Sequence, residues 1–381
     1  MSKRFYRIEF FEKNLISKSD RFKINQIEKK EVKQKIQNRN HLIIGAAGSI
    51  GSFFSNKILS FRPKKVFFLD KDENELTELN RVINTISTKT QKEFICNDIL
   101  DFDLKNFCKK YNINGIFNFS ALKHVRSEEN IFSSRYMLNV NSANFLNISY
   151  PQNVKYIFSV STDKANQPTS LLGLSKKLME FTLKEIKIKN PSKKICSVRF
   201  TNVCFSKGSI LKSIYDKCLI GGTIGIPFDV SRHFITHEEA VSLCLKSLLK
   251  NNENNIVLPN PEIIGKAKKI SDLCKNIIRS FNIQFKEKNS GYYAKGLIIK
   301  FIKTLTFGQK KIEDLQVFDE DYFYCNDKKI MKTSFKRLKN YNLVMKIIVS
   351  KKSFNIKKLA RLIYSNFKSN NNNKIKLSQN I

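Results

Sequence analysis

Short apolar runs alternate with amphipathic helical stretches along the first half of the chain. The runs are rich in Ile, Val and Phe, which is typical of strands buried on both faces. They cover residues 42–44, 66–70, 94–97, 115–120, 156–161 and 195–200. This alternation implies right-handed βαβ crossovers. It therefore predicts an α/β fold with a Rossmann-type, doubly wound parallel sheet.

The same pattern divides the chain into four regions. Residues 1–40 form a charged N-terminal extension with helical spacing, and residues 41–205 carry the alternating strands and helices. The alternation loosens over residues 206–345, which predicts a smaller C-terminal α/β lobe with some elements returning to the main sheet. Residues 346–381 form a basic tail, and we expect part of it to be disordered because it cannot bury enough apolar surface.

The chain carries a large positive charge. Its 69 Lys and Arg residues outnumber its 33 Asp and Glu residues, giving a formal net charge of +36. The Lys residues are spread over the whole length, without the clustering and interleaved aromatic residues of a nucleic-acid surface, so no specific nucleic-acid partner is expected. Lys residues near an anionic membrane can each contribute about 1 kcal/mol, which favours loose peripheral association with such a membrane.

Cysteine usage and the N-terminus indicate a compartment. The eight Cys residues form no CxxC pair and have no clustered His neighbours, so neither a metal site nor a disulfide framework is predicted. No apolar run reaches the length of a membrane span, and the charged start MSKRFYRIEFFEKN is unlike a signal peptide. We expect a cytoplasmic protein, with any membrane contact at the inner face.

A glycine-rich turn follows the first predicted strand. Gly45, Gly48 and Gly51 form a GxxGxxG pattern that opens a helix at Ser49 and Ile50. Such a turn lets the backbone approach a pyrophosphate, and the helix N-terminus offers free N–H groups to it. Residues 41–205 are therefore predicted to be an NAD(P)-binding Rossmann domain.

Further candidate cofactor-binding residues lie at the carboxyl ends of the next strands, where open parallel sheets bind ligands. Asp70 ends the second strand, where a carboxylate would hold a ribose hydroxyl of NAD. Lys71 beside it would suit the extra phosphate of NADP, so both cofactors stay open. The third and fourth strand ends add Asp98, Ile99, Ser120, Ala121 and Lys123.

Several motifs occur in the order known from one family. They are GAAGSIGS, SALKHV, STDKANQPTSLLGLSKK, SVRFTNVCFSKGSI, SRHFITHEEAVSL and FGQKKIEDL. On these motifs the chain resembles the extended short-chain dehydrogenase/reductases of polysaccharide biosynthesis, in particular the UDP-N-acetylglucosamine 4,6-dehydratases. The resemblance extends over about residues 7–325.

The resemblance implies a dehydratase that uses NAD or NADP. Transient oxidation of C4 makes the C5 proton of the sugar acidic, so that a base can remove it while an acid protonates the departing C6 hydroxyl. By resemblance, Asp163 is the acid, Lys164 is the base and Thr162 holds the C4 oxygen. Lys176 is implied to bind the nicotinamide ribose, and its charge would help a bound water or Lys164 accept the C4 hydroxyl proton.

The resemblance also implies a UDP-sugar substrate. Asn202 matches a family residue that contacts the UDP-sugar, and Arg232 matches one expected near the uridine diphosphate. Lys207 and Ser209 stand where the family has Arg and Ser, and Lys123 and His124 lie at the mouth of the site. Because oligomers are common among such enzymes, a homo-oligomer is expected.

Leu172 stands four residues before Lys176, at a position where one branch of the family carries Tyr. Another branch, largely membrane-anchored, has Met there and is regarded as active, and Leu172 is close to Met in size. Arg126, Thr201, Thr306 and Phe307 also depart from the family pattern, at positions around the substrate.

Two alternative functions stay open. A UDP-sugar 4-epimerase shares the C4 oxidation but returns hydride to the opposite face of C4, and the adjacent Asp163 and Lys164 favour dehydration over this reaction. A non-catalytic dinucleotide-binding pseudoenzyme is the other alternative, since Leu172 cannot carry a proton. The sequence leaves open the exact sugar and whether C5 is inverted.

Overall fold

The computed structural model of the protein describes residues 3–124, 131–281, 283, 286–288, 291–294, 297–303, 310–316, 320–350, 359 and 362–363. Its helices are α1 (Lys3–Leu15), α2 (Gln26–Ile36), α3 (Ser49–Leu59), α4 (Glu73–Asn84), α5 (Leu104–Lys110), α6 (Ile131–Asn141), α7 (Leu171–Lys189), α8 (Ile210–Ile220), α9 (His237–Ser247), α10 (Pro261–Ile264), α11 (Ile270–Ser280) and α12 (Tyr341–Val349).

The strands follow the same chain order. They are β1 (Asn40–Ile44), β2 (Lys65–Asp70), β3 (Gln91–Cys96), β4 (Ile113–Asn118), β5 (Tyr156–Thr162), β6 (Lys194–Phe200), β7 (Asn202–Val203), β8 (Gly222–Pro227), β9 (Ser231–Arg232), β10 (Phe234–Ile235), β11 (Asn255–Pro259), β12 (Lys268–Lys269), β13 (Lys286–Lys288), β14 (Gly291–Ala294), β15 (Leu297–Ile302), β16 (Phe323–Tyr324) and β17 (Ile330–Ser334). All six strands predicted from the sequence are present, as β1 to β6.

The main sheet has nine strands within the described residues, in the order β16-β17-β11-β6-β5-β4-β1-β2-β3. The seven neighbouring strands β11, β6, β5, β4, β1, β2 and β3 pair in parallel. Strands β17 and β16 extend the edge beside β11 in antiparallel fashion. The order of the first six strands is that of a doubly wound dinucleotide-binding sheet, which confirms the predicted fold class. From β1 the chain adds strands toward one edge of the sheet, and from β4 it adds them toward the other edge. The ligand crevice of such a sheet opens at this switch point between β1 and β4.

Helices cover both faces of this sheet. Within β1, Ile43 belongs to the apolar core beneath α2, α3, α4 and α9, whereas Leu42 and Ile44 belong to the core beneath α5 and α7. This two-sided burial explains why the central strands are continuous apolar runs. Strand β3 is the exception, because it lies at the edge of the sheet and its residues are only partly buried.

The smaller lobe is a four-stranded sheet in the order β13-β14-β15-β8, with α8 and α11 packed against it. The N-terminal extension is part of both cores. Phe11 of α1 stacks on Phe281 at 5.6 Å and meets Tyr215 edge-on at 5.7 Å between ring centroids, inside the core of the smaller lobe. Val32 and Ile36 of α2 belong to the core of the main sheet.

The C-terminal helix α12 packs against α6. Its buried residues join the apolar cluster that contains the N-terminal half of α7, and Leu359 and Ile363 are buried in the same cluster. The boundary placed at residue 346 from the sequence therefore falls inside α12. The rest of the predicted tail, beyond these positions, lies outside the described residues. Among the helices that the structure describes, none has both the length and the apolar character needed to cross a membrane.

Candidate active site

The turn between β1 and α3 leaves no room for a side chain at Gly45 or Gly51. Gly45 has a φ of +70°, and a Cβ on it would lie 2.5 Å from the main-chain N of Ser120. A Cβ on Gly51 would lie 2.0 Å from the carbonyl oxygen of Gly45. Helix α3 begins directly after Gly48, which supplies no side-chain cap, so the first N–H groups of the helix are available to an anion. The turn fits the pyrophosphate of a dinucleotide.

Asp70, at the end of β2, faces this turn. Its Oδ2 accepts a hydrogen bond from the main-chain N of Ala47 at 2.9 Å, and its Oδ1 accepts from the N of Asp72 at 3.2 Å. The neighbouring Lys71 is turned toward Tyr136 of α6: its Nζ lies 4.4 Å from the ring centroid and donates to the hydroxyl at 3.1 Å. The carboxylate, and not the ammonium, is therefore the group presented beside the glycine turn.

Tyr136 connects the ends of β2 and β3, and the sequence analysis did not identify it. Its hydroxyl donates to Oδ2 of Asp98, whose Oδ1 accepts from the N of Leu100 at 3.0 Å. Burial and then the bond to Asp98 raise the pKa of the tyrosine. Ile99 is buried in the core beneath α5 and α7. The end of β3 thus presents a fixed carboxylate beside an apolar residue.

The end of β4 completes this side of the crevice. The main-chain N and the hydroxyl of Ser120 both donate to Oδ1 of Asn118, at 3.1 and 2.6 Å. Ala121 is exposed, and Ile50 in the first turn of α3 packs against the core. These residues offer main-chain groups and apolar walls to a ligand.

Two lysines converge on Ser49 at the start of α3. The Ser49 hydroxyl accepts from the main-chain N of Lys207 at 2.9 Å and from Nζ of Lys123 at 3.4 Å. The ammonium of Lys207 also donates to the carbonyl of Ala47 at 2.9 Å and pairs with Glu75. Burial of its ammonium and, to a lesser extent, the charge of Lys207 lower the pKa of Lys123. Two cations beside a helix N-terminus form a cradle for phosphate groups.

His124 packs against the loop that carries Lys207. A Cβ on Gly208 would lie 2.6 Å from both Cε1 and Nε2 of the imidazole. Burial and then the charge of Lys123 lower the pKa of His124. The two segments that contribute Lys123 and Lys207 are thus in direct contact.

The implied catalytic residues form one compact turn at the end of β5. Oδ1 of Asp163 accepts from the hydroxyl of Thr162 at 2.9 Å and from Nζ of Lys164 at 3.1 Å. Asp163 is 3% exposed, and within the described part of the chain its Oδ2 has no hydrogen-bond partner. A buried carboxylate oxygen without a partner is costly, so this atom is suited to bind a polar group of a ligand.

Helix α7 holds this turn at close range. A Cβ on Gly173 would lie 2.4 Å from the carbonyl oxygen of Lys164, so only glycine allows the contact. Lys176 is buried, and its Nζ donates to the carbonyl of Val160 at 3.0 Å. Burial lowers its pKa to about 8, opposed in part by Glu180. Lys176 therefore lies beneath the end of β5, where it contacts Val160, the residue two positions before Thr162.

Leu172 lies in the first turn of α7 and is 5% exposed. It belongs to the apolar cluster that includes Met137, Leu138 and the buried residues of α12. A leucine is the residue that such surroundings favour, and it leaves the proton chemistry of the turn to other groups.

Glu313 is a further acidic residue of this site that the sequence analysis did not single out. It is buried, and its Oε1 lies 3.9 Å from Nζ of Lys164 and 3.9 Å from a terminal nitrogen of Arg232. Burial raises its pKa, and so does Asp163, whereas Lys164, Arg232 and Lys310 oppose the shift. The carboxyl is thus a better proton acceptor at mildly acidic pH than an ordinary glutamate.

Arg232 was assigned to the diphosphate on the basis of resemblance. In the structure it lies beside the Asp163–Lys164 turn, and its guanidinium donates to the carbonyls of Ser231, Lys310 and Lys311, each at 2.8 Å. Burial lowers its pKa, while Glu313 and Asp163 oppose the shift. Its charge therefore acts on the carboxylates of Glu313 and Asp163.

Asn202 and Ser209 have structural partners. The amide of Asn202 donates to the carbonyl of His233 at 3.3 Å, and Ser209 caps α8 by accepting from the N of Lys212 at 3.3 Å. Thr201, next to Asn202, is buried, and its hydroxyl is unpartnered among the described residues. Arg126, Thr306 and Phe307, noted as departures from the family pattern, lie outside the described residues.

A buried ionic network supports the turn from below. Arg199 of β6 pairs with Glu180 of α7 and with Glu320, and it also donates to the side chain of Asn166. Asn166 follows the Thr162–Asp163–Lys164 turn, and its amide donates to the carbonyl of Asp314 at 2.8 Å. The network ties β6, α7 and the segment that carries Glu313 to the same turn.

The sheet order, the glycine turn and the polar turn at the end of β5 define the class of the protein, an extended short-chain dehydrogenase/reductase. Within that class the chain belongs to the polysaccharide biosynthesis protein family, whose match covers residues 41–334.

Relatives of this chain carry different descriptions. An uncharacterized membrane protein of Methanocaldococcus jannaschii is 31% identical over 74% of this chain and 81% of its own length. The capsular polysaccharide biosynthesis protein CapD of Staphylococcus aureus is 27% identical over 65% of this chain and 42% of that protein. An inverting UDP-N-acetylglucosamine 4,6-dehydratase of Campylobacter jejuni is 23% identical over 58% of this chain and 66% of that enzyme. This chain thus spans less than half the length of CapD.

Solved structures share the fold. Pen from Bacillus thuringiensis superimposes with a TM-score of 0.64 and 21% identity, over 78% of this chain and 87% of that chain. The UDP-Glc/GlcNAc 4-epimerase of Campylobacter jejuni has a TM-score of 0.55 and 17% identity, over 86% of this chain and 98% of that chain. At these identities the likeness establishes the architecture.

Proposed function

We propose that the protein is a nucleotide-sugar 4,6-dehydratase of surface polysaccharide synthesis, acting on UDP-N-acetylglucosamine or a related UDP-sugar. The observation that carries the proposal is the Thr162–Asp163–Lys164 turn: an acid and a base share one hydrogen bond at 3.1 Å, and Oδ2 of Asp163 is unpartnered among the described residues. The family match and the Campylobacter jejuni dehydratase relative support it.

The proposed cofactor is NAD or NADP, held at the turn of Gly45, Gly48 and Gly51. When bound, the cofactor would supply the reversible oxidation at C4 and the reduction at C6. Asp70 would receive the adenosine ribose, with Asp98, Ile99, Ser120 and Ala121 lining the rest of the crevice. The orientation of Asp70 toward the turn, and of Lys71 toward Tyr136, favours NAD.

Each residue of the catalytic turn has a defined task in this proposal. Lys164 removes the C5 proton once C4 is a ketone, and Asp163 protonates the C6 hydroxyl as it leaves. Thr162 hydrogen-bonds the C4 oxygen, and Lys176 contributes positive charge beneath it. After the elimination Lys164 gives a proton back to C5 as C6 is reduced, and the hydrogen bond between Lys164 and Asp163 offers a route by which Asp163 can be reprotonated.

The diphosphate of the UDP-sugar has basic partners close by. Lys123 and Lys207 meet at Ser49, beside the mouth of the crevice, where ammonium groups can bind phosphate oxygens. His124 and Asn202 would line the path to the sugar, and Ser209 would orient the loop that carries Lys207. The homo-oligomer, the cytoplasmic location and the loose contact with an anionic membrane remain predictions.

Product analysis tests this proposal. Purified protein is incubated with NAD or NADP and UDP-N-acetylglucosamine, and the sugar nucleotide is followed by mass spectrometry and proton NMR. A 4-keto-6-deoxy product, one water lighter than the substrate, is expected. A product of unchanged mass with inverted C4 would identify an epimerase, and unchanged sugar with every UDP-hexose tried would favour a non-catalytic dinucleotide-binding protein.

A further inference from the structure

The proposed reaction contains a proton that the assigned residues do not accommodate. When C4 is oxidised, its hydroxyl proton must leave, and Leu172 stands in the apolar cluster at the position where a tyrosine could take it. Lys164 is then the assigned base that can accept this proton, but it must be neutral again before it can remove the C5 proton. A single lysine can perform both transfers only if another group takes up the first proton.

Glu313 is the second carboxylate beside Lys164, and its separation from the ammonium must shorten to hydrogen-bond distance when the proton moves. Nζ of Lys164 lies between two carboxylates, 3.1 Å from Oδ1 of Asp163 and 3.9 Å from Oε1 of Glu313. The side chains of the two acids are 3% and 6% exposed, whereas that of Lys164 is 22% exposed. Lys164 is therefore the most exposed member of the trio. Asp163 keeps for the substrate its Oδ2, which is unpartnered in the part of the chain that the structure describes, and Glu313 is the carboxylate left to serve Lys164.

We infer that Glu313 receives the C4 hydroxyl proton from Lys164, holds it during the elimination, and returns it through Lys164 to Asp163. This inference rests on the proposed dehydratase function. Glu313 acts through Lys164, so it is a positioning and proton-holding residue rather than one that contacts the sugar.

The protons balance over a cycle. At the start Asp163 is protonated, Lys164 is neutral and Glu313 is ionised. Lys164 accepts the C4 hydroxyl proton and passes it to Glu313, which forms an O–H bond and leaves Lys164 neutral. Lys164 then takes the C5 proton while Asp163 gives its own to the C6 hydroxyl, which departs as water.

The second half of the cycle restores the three groups. Lys164, whose ammonium hydrogens exchange with solvent, gives a proton to C5 as C6 is reduced. The proton on Glu313 then moves through Lys164 to Asp163, and the starting state is recovered. The hydrogen of the C4 hydroxyl has in effect replaced the proton that left with water, so no further acid or base is required.

The surroundings of Glu313 suit a group that gains and loses a proton. The charged groups that face it are Lys164, Asp163, Arg232 and, on its own segment, Lys310. Burial and the Asp163 charge raise its pKa, which makes it a better acceptor than an exposed glutamate, and Arg232 keeps its ionised form from being isolated.

The test compares Glu313→Gln with Asp314→Asn, the same change at the adjacent residue, whose exposed carboxylate pairs with Lys310 at 3.1 Å. Acylation of Lys164 by acetic anhydride is measured against pH by peptide mass spectrometry, without substrate. Loss of the Glu313 charge should lower the midpoint of Lys164 labelling by about one pH unit, and Asp314→Asn should not move it. Equal midpoints in all three proteins would overturn the inference, whatever the substrate.

Kinetics provide the second arm. With UDP-N-acetylglucosamine, Glu313→Gln should lower kcat about 10²-fold with little change in KM. Reduced nicotinamide should accumulate, because Lys164 stays protonated after C4 oxidation. Formate should restore turnover to Glu313→Ala, and Glu313→Asp should be intermediate, which separates proton holding from a folding defect. Undiminished kcat in Glu313→Gln would overturn the inference.

Wild-type protein that leaves the sugar unchanged would count against the proposed function. The labelling experiment would still decide whether Glu313 and Lys164 are coupled.

Discussion

Arg199 and Glu320 form a two-pronged ion pair beneath the Thr162–Asp163–Lys164 turn, with nitrogen–oxygen distances of 2.5 and 2.9 Å. Their side chains are each 2% exposed. The pair joins the end of β6 to the part of the chain that follows Glu313, and Arg199 also holds Asn166 after the turn. The position of Glu313 relative to Lys164 thus depends on a buried charge pair.

Glu320→Gln should therefore destabilise the protein by about 3–5 kcal/mol at neutral pH, since it leaves Arg199 and Lys177 with one carboxylate fewer. Arg199 and then Lys177 lower the pKa of Glu320 far below its usual value. The contribution of the pair is fully present above the ordinary glutamate pKa and is lost as pH falls toward the lowered one.

Urea denaturation at several pH values measures this effect. The difference in free energy of unfolding between wild type and Glu320→Gln should shrink as the solution becomes acidic. Glu78→Gln, which breaks the exposed pair with Arg81, is the matched control and should cost less than about 1 kcal/mol. A cost for Glu320→Gln as small as that of the control would contradict the structural role of the pair.

Gly173→Ala should move the catalytic turn, because its Cβ would lie 2.4 Å from the carbonyl oxygen of Lys164. We expect kcat to fall at least about tenfold and the free energy of unfolding to fall by about 1–3 kcal/mol. Gly225→Ala is the control, since the atoms nearest to a Cβ there belong to the flexible side chain of Ile302. Equal activity of the two variants would show that the close contact is unnecessary.

Leu172→Met should retain turnover near the wild-type value, because Met has a similar volume and carries no proton. Leu172→Tyr should lower the thermal unfolding midpoint without raising kcat, since its hydroxyl would enter the apolar cluster around Met137 and Leu138. Steady-state kinetics and calorimetry check both variants. A large gain in kcat for Leu172→Tyr would mean that the C4 proton lacks an acceptor in the natural protein.

His41 should make stability depend on pH. It is fully buried in β1, where its Nε2 lies 3.0 Å from the carbonyl oxygen of Ile36, and burial lowers its pKa to about 4. The unfolded chain binds more protons between that value and about 6.5, so stability falls as pH drops through this window, by about 3 kcal/mol at its lower end. His41→Gln should remove this part of the slope in a series of urea titrations. An identical pH dependence in both proteins would contradict it.

Local patterns were sufficient to predict the frame of the site. The apolar runs of β1, β2, β4, β5 and β6, the glycine turn and the STDK turn are all short-range features. Each strand end brings its following residues to one edge of the sheet. This is why Asp70, Asp98, Ser120 and Asp163 could be assigned to that edge from the sequence alone.

Contacts between distant segments were not predictable in the same way. Glu313 meets Lys164 from a distant part of the chain, in a segment that the Asn166–Asp314 and Arg199–Glu320 contacts tie to the turn. Tyr136 reaches Asp98 from α6, and Phe11 packs against Phe281 and Tyr215 in the smaller lobe. A local signal did exist for Glu313, because it is one of the two acidic residues within FGQKKIEDL, a family-like motif.

Helix α12 shows a second reason for error. Its apolar residues, including Val344 and Ile348, continue past residue 345, but the polar composition farther on suggested a tail from that point. The helix is stabilised by tertiary packing with α6, which composition alone does not indicate.

The most direct measurement of the central claim is solvent hydrogen incorporation at C5. Wild-type protein, Lys164→Ala and the control Lys189→Ala, an exposed lysine of α7, are incubated with NAD and UDP-N-acetylglucosamine in deuterated water. The account predicts a 4-keto-6-deoxy product carrying deuterium at C5 for wild type and the control, and at least about 10²-fold slower formation of it for Lys164→Ala. Deuterated product formed at the same rate by Lys164→Ala, or a sugar that keeps its C6 hydroxyl in all three, would contradict it.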